Sequence, residues 1–279
     1  MMRSMYAAVA GLRTHQMRMD VIGDNIANVN TPGFKRSRAT FQDIFYQTLR
    51  GGTMGSEIRG GTNPQQIGLG ISLATIDVIH TQGAPQPTGK ADDLMIQGDG
   101  FFVLKEDPAD EGAYFTRAGA FRFVPSDDGN DYLVNPANGL YVMNTAGERI
   151  SIPSTARSFH IDTMGFVSYI DGDTGESVVL DDPIAIAKFP NPSGLLKVGE
   201  NLYRYDFAAG QEPGGANDAG GEPGTEGRGT IIPSALEMSN VELAQEFTEM
   251  IITQRGFQAN ARTITVSDEM LQELVNLKR

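Results

Sequence analysis

The sequence predicts an α+β protein in which long, paired N- and C-terminal helices, coiled-coil-like, are joined to a central all-β module by an extended connecting arm. Three observations support this fold class. Apolar residues recur at helical spacing at both ends, the middle of the chain consists of short β-type runs between turn residues, and a glycine-rich stretch separates the first helix from those runs. The predicted regions are a terminal helical assembly domain (1–29 and 235–279), the arm (30–70) and a β-rich outer domain (71–234) with a Gly-rich loop at 210–229.

The first predicted helix carries apolar side chains at alternating steps of three and four. They are Met2, Met5, Val9, Leu12, Met19 and Ile26. A stripe this narrow is typical of a helix that buries one seam against another helix. We expect the helix to end in the run from Asn28 to Gly33, because Pro32 cannot continue it and asparagine and glycine leave a helix easily.

The predicted arm follows this helix. Its first part carries the cations Lys35, Arg36 and Arg38, and its second part, 51–70, is dominated by glycine, threonine and glutamine. Such a composition is typical of irregular or extended chain.

The β-type runs occupy the middle of the chain. They include 72–79, 94–96, 101–104, 114–123, 132–134 and 184–189. Many short strands without an intervening helical period predict a small barrel or sandwich. The range 210–229 contains eight glycines among twenty residues, a low-complexity composition that predicts a mobile loop.

The last predicted helix begins after Pro233, where proline no longer occurs, and Ser239 with Glu242 forms a possible capping box. A seven-residue repeat marks one face. It consists of Leu243, Met250, Phe257, Ile264 and Leu271, flanked by Phe247, Ala261 and Leu274. The opposite face carries few charges in its middle, which suits packing against further helices.

These stripes have two interpretations, a core within one chain or an assembly surface. The persistence of the C-terminal repeat over five positions favours assembly. The predicted assembly interface comprises Met5, Val9, Leu12, Met19, Ile26, Asn28, Leu243, Phe247, Met250, Phe257, Ala261, Ile264, Leu271 and Leu274.

Composition excludes several classes of function. The net charge of −13 and pI near 4.6 argue against a nucleic-acid partner, which requires a basic face. There is no cysteine, hence no disulfide or thiolate chemistry. No apolar run is long enough for membrane insertion. Residues 5–12 faintly imitate a secretory signal, but the heptad stripe continues beyond them, so we expect no cleaved signal peptide.

The sequence predicts no enzyme, no catalytic residue, no cofactor and no metal ion. The histidines His15, His80 and His160 lie in no catalytic motif. The segment 83–90 has the wrong glycine spacing for a phosphate loop. The acidic clusters at 127–131 and 171–176 lack the spacing of a calcium hand, and hairpin turns favour the same residues.

The two ends of the chain carry long motifs that resemble those of the flagellar rod and hook protein family. They are DVIGDNIANVNTPGFK at 20–35, EMSNVEL at 237–243, QRGFQAN at 254–260 and DEMLQEL at 268–274. Internal motifs agree: QGDGFF at 97–102, YFTRAG at 114–119 and GENLY at 199–203. The resemblance covers nearly the whole chain.

Within this family the chain is similar to two members, the short hook protein of Gram-positive type and the distal rod protein. The run 41–49 is more similar to the rod protein, whereas 60–63, 66–70 and the ending 274–279 are more similar to the hook protein. The prediction is therefore a subunit of the extracellular hook, a tube that transmits motor torque, with a distal rod subunit of the basal body as the alternative.

The resemblance also implies partners and location. Subunits of this family are exported unfolded by the flagellar type III export apparatus, without a cleaved signal peptide, and polymerise as a helical homopolymer. The terminal helices then line the inner tube, the β-module faces outward, and residues 30–71 contact neighbouring subunits. The implied axial neighbours are rod, hook-cap and hook–filament junction proteins, and the implied location is the extracellular flagellum, in the hook or the basal body.

Overall fold

A computed structural model describes residues 2–55, 60–107, 112–126, 128–172, 175–210 and 220–277. The fold class is α+β, as predicted, with a helix toward each end and β-structure between them. The chain divides into two compact units. The helical unit comprises Met1–Ala27, Ser37–Ile79 and Val241–Arg279, and the β unit comprises Asn28–Arg36 and His80–Asn240.

Several predicted features fall partly outside the described residues. They are the acidic clusters at 127–131 and 171–176, the Gly-rich loop at 210–229 and the ending 274–279.

The helical unit contains helix α1 (Met2–Ala27) and helix α2 (Leu243–Leu277), of 26 and 35 residues, which pack against each other. None of the described helices is both long and apolar enough to cross a membrane. Where the structure describes this unit, it also contains four strands: β1 (Ser37–Asp43), β2 (Tyr46–Arg50), β3 (Gln65–Gly68) and β4 (Ile71–Val78).

These strands form two separate antiparallel pairs, β1 with β4 and β2 with β3. The range 30–70, predicted as an extended arm, thus holds three strands. The β-type run at 72–79 lies within the helical unit rather than the β unit, because β4 finds its pairing partner in β1.

The β unit contains sixteen strands among its described residues. They are β5 (Pro85–Pro87), β6 (Leu94–Gln97), β7 (Phe101–Lys105), β8 (Tyr114–Thr116), β9 (Arg122–Pro125), β10 (Asn130–Val134), β11 (Tyr141–Val142), β12 (Ser151–Pro153), β13 (Ser158–Ile161), β14 (Val167–Ile170), β15 (Ser177–Val179), β16 (Ile186–Ala187), β17 (Leu196–Gly199), β18 (Leu202–Arg204), β19 (Thr230–Pro233) and β20 (Ala235–Glu237). Two short 3-10 helices span Pro192–Gly194 and Phe207–Ala209.

The main sheet of the β unit has nine antiparallel strands in the order β12-β10-β11-β7-β8-β18-β17, with β16 also paired to β7 and β9 to β10. The smaller sheets are β13-β14-β15, β19-β6 and β20-β5. The last of these pairs β20, the C-terminal strand of the unit, with β5.

The core of the β unit lies on both sides of β7. Side chains alternate across a strand, so Phe102 and Leu104 enter one apolar cluster while Phe101 and Val103 enter another. All four are at most 2% exposed. A strand buried on both faces reads as a continuous apolar run, which is why FFVL is among the clearest strand signals in the sequence.

Candidate assembly surface

The contact between α1 and α2 includes small and polar residues, among them Gly11 beside Asn260 and Asn25 bonded to Glu246. The buried residues of α1 are Ala8, Gly11, Thr14, Ile22 and Asn25, and those of α2 are Glu246, Thr253 and Ser267. The α2 residues recur at seven-residue spacing, and Asn260 continues the same series. This is the weakly charged face that the sequence assigned to packing against further helices.

Glycines allow the two helices to approach closely. A Cβ atom added at Gly11 would lie 2.6 Å from Nδ2 of Asn260, and one added at Gly256 would lie 2.7 Å from Cε1 of His15. Because residue 11 meets residue 260 and residue 15 meets residue 256, the helices run antiparallel. Gly23, by contrast, faces open space, with no atom within 4 Å of such a Cβ.

The C-terminal half of α1 is held by hydrogen bonds and one ion pair. Nδ2 of Asn25 donates to Oε2 of Glu246 at 3.2 Å and to the Ser37 carbonyl at 2.8 Å, while its Oδ1 accepts from the Ser37 N–H at 2.9 Å. Arg18 pairs with Glu249 at 3.2 Å. Asn25 therefore links α1, α2 and β1 through one side chain.

The residues of the predicted assembly interface are less buried than the buried helix residues named above. Half-buried positions are Met5, Leu12, Met19, Ile26 and Asn28, and then Met250, Phe257, Ala261, Ile264 and Leu271. Val9, Leu243, Phe247 and Leu274 are exposed, between 38% and 50%. Asn28 lies beyond α1, in the β unit, where its Oδ1 accepts from the Thr31 hydroxyl.

Further large apolar side chains are exposed on both helices. They are Met2, Tyr6 and Met17 on α1, and Ile251, Ile252, Val266, Met270, Val275 and Leu277 on α2. Exposed apolar patches larger than a few hundred Å² are uncommon on soluble monomers, and the assembly interface therefore stays a prediction that these side chains agree with. A single chain thus covers the small and polar face of each helix and leaves much of the apolar face open to solvent.

In the β unit, a fully buried ionic cluster joins the segment 28–36 to the C-terminal edge. Nζ of Lys35 lies 2.6 Å from Oε1 of Glu237 and donates to the Thr81 carbonyl at 2.7 Å. The Arg117 guanidinium reaches Oε2 of Glu237 at 3.4 Å and the Gly98 carbonyl at 2.8 Å. We call Lys35, Arg117 and Glu237 the ionic cluster.

The turn that delivers Lys35 to the cluster depends on Gly33. This glycine has a φ of +73°, and a Cβ there would press on the backbone of Ala118. Its N–H donates to the Glu237 carbonyl at 2.7 Å. Both the backbone and the side chain of Glu237 therefore hold the segment in place.

His80 lies next to the ionic cluster, with its ring against Phe101 and Tyr203 at centroid distances of 5.5 and 5.6 Å. Burial, together with the nearby cations Lys35, Arg117 and Lys197, lowers the pKa of His80 to about 4. Burial also lowers the pKa of Lys35, an effect that Glu237 opposes.

Sequence reasoning missed Gly11, Asn25, Gly256 and the ionic cluster. The glycines carried a signal, since glycine inside a helix usually has a packing reason. Asn25 carried no such signal, because it lies outside the apolar stripe that the sequence shows on this helix. In the described ranges, no group of three or more histidine, aspartate or glutamate side chains is arranged to hold a metal ion.

Three family models match the chain. Residues 5–35 match "Flagella basal body rod protein", residues 95–169 match "Flagellar hook protein FlgE/F/G D1 domain", and residues 232–277 match "Flagellar basal body rod FlgEFG protein C-terminal".

Curated relatives are similar over the full length. The flagellar basal-body rod protein FlgG of Bacillus subtilis (strain 168) is 48% identical over 281 residues, and that of Borreliella burgdorferi is 36% identical over 281 residues; each alignment covers 100% of both proteins. The flagellar hook protein FlgE of Borreliella burgdorferi is 32% identical over an alignment of 454 residues, again covering 100% of both.

Proposed function

This chain belongs to the flagellar rod and hook protein family, and we propose that it is a distal rod subunit of the flagellar basal body. Its relatives are structural proteins of the flagellum, and it is not an enzyme. The sequence favoured the hook and kept the distal rod as the alternative; the comparisons favour that alternative.

The observation that carries this proposal is the match in both identity and length to the rod protein of Bacillus subtilis. At 48% over 281 residues, that alignment needs almost no gaps in a 279-residue chain. The alignment to the Borreliella hook protein extends over 454 residues, so about 175 of its positions, the difference between 454 and 279, have no counterpart here. The terminal motifs are shared by rod and hook proteins and therefore could not distinguish them.

The proposed assembly uses the terminal helices as the wall of a helical homopolymer. In it, α1 and α2 of one subunit pair through the small and polar contact face, and the apolar stripes of both helices pack against other copies in coiled-coil-like fashion. The exposed Phe247 and Leu274 support this arrangement, because packing against another copy would remove their apolar surface from water.

The proposed partners are further copies of the chain and the rod and hook proteins adjacent to it along the axis. Export by the flagellar type III apparatus remains part of the proposal, as does the absence of a cleaved signal. The predicted assembly interface includes Met5 and Leu12 near the N-terminus, so cleavage within that region would remove interface residues.

Electron microscopy of purified full-length protein after seeded polymerisation tests this proposal. Straight tubes of uniform diameter are the expected result, because a rod transmits rotation along a fixed axis. Curved tubes would overturn the rod assignment in favour of the hook. Failure to form tubes at any precipitant concentration, by protein whose β unit is folded, would contradict self-assembly.

A further inference from the structure

A cavity of about 190 Å³ opens in the β unit. Its wall includes the cations Arg117 and Lys188, the imidazole of His80 and the aromatic rings of Phe101 and Phe189; Asp99 also lines it. An apolar wall with a few charged and polar groups is typical of a site for a small ligand group.

Arg117 and His80 carry buried nitrogen atoms at this wall, whereas Nζ of Lys188 already donates to the Gly227 carbonyl at 3.0 Å. The Arg117 side chain is only 3% exposed, and its Nε is buried without a hydrogen-bond partner among the described residues. Both ring nitrogens of His80 are also buried, and the Pro192 backbone is near enough to oppose the lowering of its pKa without meeting strict hydrogen-bond geometry. A neutral imidazole carries one N–H, so the wall offers one unused donor, Nε of Arg117, and a second that is only weakly bonded. Buried donors without acceptors are costly, and an acceptor in the cavity would satisfy them.

The charge next to the cavity is also unbalanced. The ionic cluster contains two cations, Lys35 and Arg117, and a single carboxylate, Glu237, and all three side chains are almost completely buried. Lys188 adds a positive charge to the cavity wall and Asp99 a negative one, so the net charge stays positive and favours the approach of an anion. The other two nitrogens of the Arg117 guanidinium already contact Glu237 and the Gly98 carbonyl, so Nε can donate one further hydrogen bond, to one carboxylate oxygen.

We propose that this cavity binds a carboxylate group, held by Arg117, His80 and Lys188 and covered by Phe101 and Phe189. The carboxylate has two possible sources, an acidic side chain of a neighbouring copy or a free small carboxylate. The chain itself offers 35 aspartates and glutamates. The site does not depend on the proposed rod function, since every residue that forms it lies in the β unit.

The first test uses the unpolymerised full-length protein and acetate as the probe. NMR of the His80 ring is recorded during titration with sodium acetate near neutral pH and at constant ionic strength, with acetamide as the neutral isostere. The expected result is a saturable shift with acetate and none with acetamide. Equal shifts with both probes, or no saturable shift, would overturn the proposal, because the cavity would then hold only water.

Matched lysine variants test the site itself. Lys188→Met should weaken acetate binding by about tenfold, since it removes one of the cations. Lys90→Met changes an exposed lysine that does not line the cavity and should leave binding unchanged. Equal affinities in the two variants would contradict the assigned residues. The unfolding midpoint of each variant shows that the β unit is intact.

A polymer sample distinguishes the two sources. If a neighbouring copy supplies the carboxylate, the His80 signal of assembled protein should already be shifted without added acetate, and acetate should no longer bind. If the carboxylate is a free solute, assembled protein should still bind acetate. If the protein does not polymerise, only this comparison of sources is lost. The acetate titration of the monomer still supports or overturns the site.

Discussion

Asn25 and Glu246 form a buried hydrogen bond of 3.2 Å between the two helices, across 221 positions of sequence. The same amide of Asn25 is anchored to both backbone groups of Ser37 at the start of β1. The identity of residue 25 therefore affects the helix pair and the sheet beside it together.

Asn25→Ala should destabilise the helical unit by about 2 kcal/mol, because it removes three hydrogen bonds, one of them to a buried carboxylate. The measurement is the loss of helical circular dichroism in urea. Asn30→Ala is the control, since Asn30 is exposed outside the helices. Equal midpoints for the two variants would show that the Asn25 contacts contribute nothing.

Gly11→Leu should weaken the contact between α1 and α2 by about 2 kcal/mol, because a side chain there overlaps the amide of Asn260. Gly23→Leu is the matched control within the same helix. No atom lies within 4 Å of a Cβ at residue 23, and replacing glycine in a helix gains about 0.5–1 kcal/mol of stability. In urea denaturation, we expect the free energy of unfolding to fall for Gly11→Leu and to rise for Gly23→Leu. An equal rise for both variants would contradict the close approach of the helices at Gly11.

Glu237→Gln should destabilise the β unit by about 3 kcal/mol, because it leaves Lys35 and Arg117 buried without a carboxylate. Tyrosine fluorescence during guanidinium unfolding measures the change. Glu226→Gln is the control, since Glu226 is 66% exposed in its pair with Arg228 and should leave stability unchanged. A wild-type midpoint for Glu237→Gln would show that the cluster does not stabilise the fold.

His80 should make the stability of the β unit depend on pH. Its pKa is about 4 in the folded unit and 6.5 when exposed, so the unfolded chain takes up a proton first as pH falls. Stability is therefore fully present above pH 6.5 and declines toward pH 4, by up to about 3 kcal/mol. Unfolding curves in carboxylate-free buffers measure this decline. His80→Phe should flatten it, whereas His160→Gln, at an exposed position, should not.

Phe257→Ala should raise the protein concentration needed for tube formation, because it removes apolar surface contributing about 2–3 kcal/mol per subunit. Sedimentation of polymer at increasing protein concentration gives this threshold. Phe257→Leu keeps most of the apolar area and should polymerise nearly as well. Normal assembly of the alanine variant would show that Phe257 is not part of the assembly interface.

The sequence predicted the terminal helices and the β-rich middle because both depend on local periodicity. The face through which the two helices contact each other was harder to predict from sequence. The heptad stripe indicates Leu243 and Phe257 as contact residues and gives no indication of Gly11 and Asn260. Which face of a helix pairs within one chain depends on how closely the backbones approach, and a pattern of apolar residues does not report that distance.

The ionic cluster could not be predicted for a different reason. Lys35 and Glu237 are 202 positions apart, and each alone reads as an ordinary surface charge. Only the fold brings them together and excludes water from both. The hook and rod assignments were equally hard to separate, because they rested on short segments outside the shared terminal motifs.

The distance in sequence between Lys35 and Glu237 has a consequence for timing. When the chain is released from one end, as it is from a ribosome, Lys35 and Glu237 emerge at different times, separated by 202 positions of sequence. Until both have emerged, Lys35 and Arg117 lack the carboxylate that pairs with them on burial, so we expect the β unit to be less stable. The β unit is therefore expected to reach its full stability only after the C-terminal segment has been released.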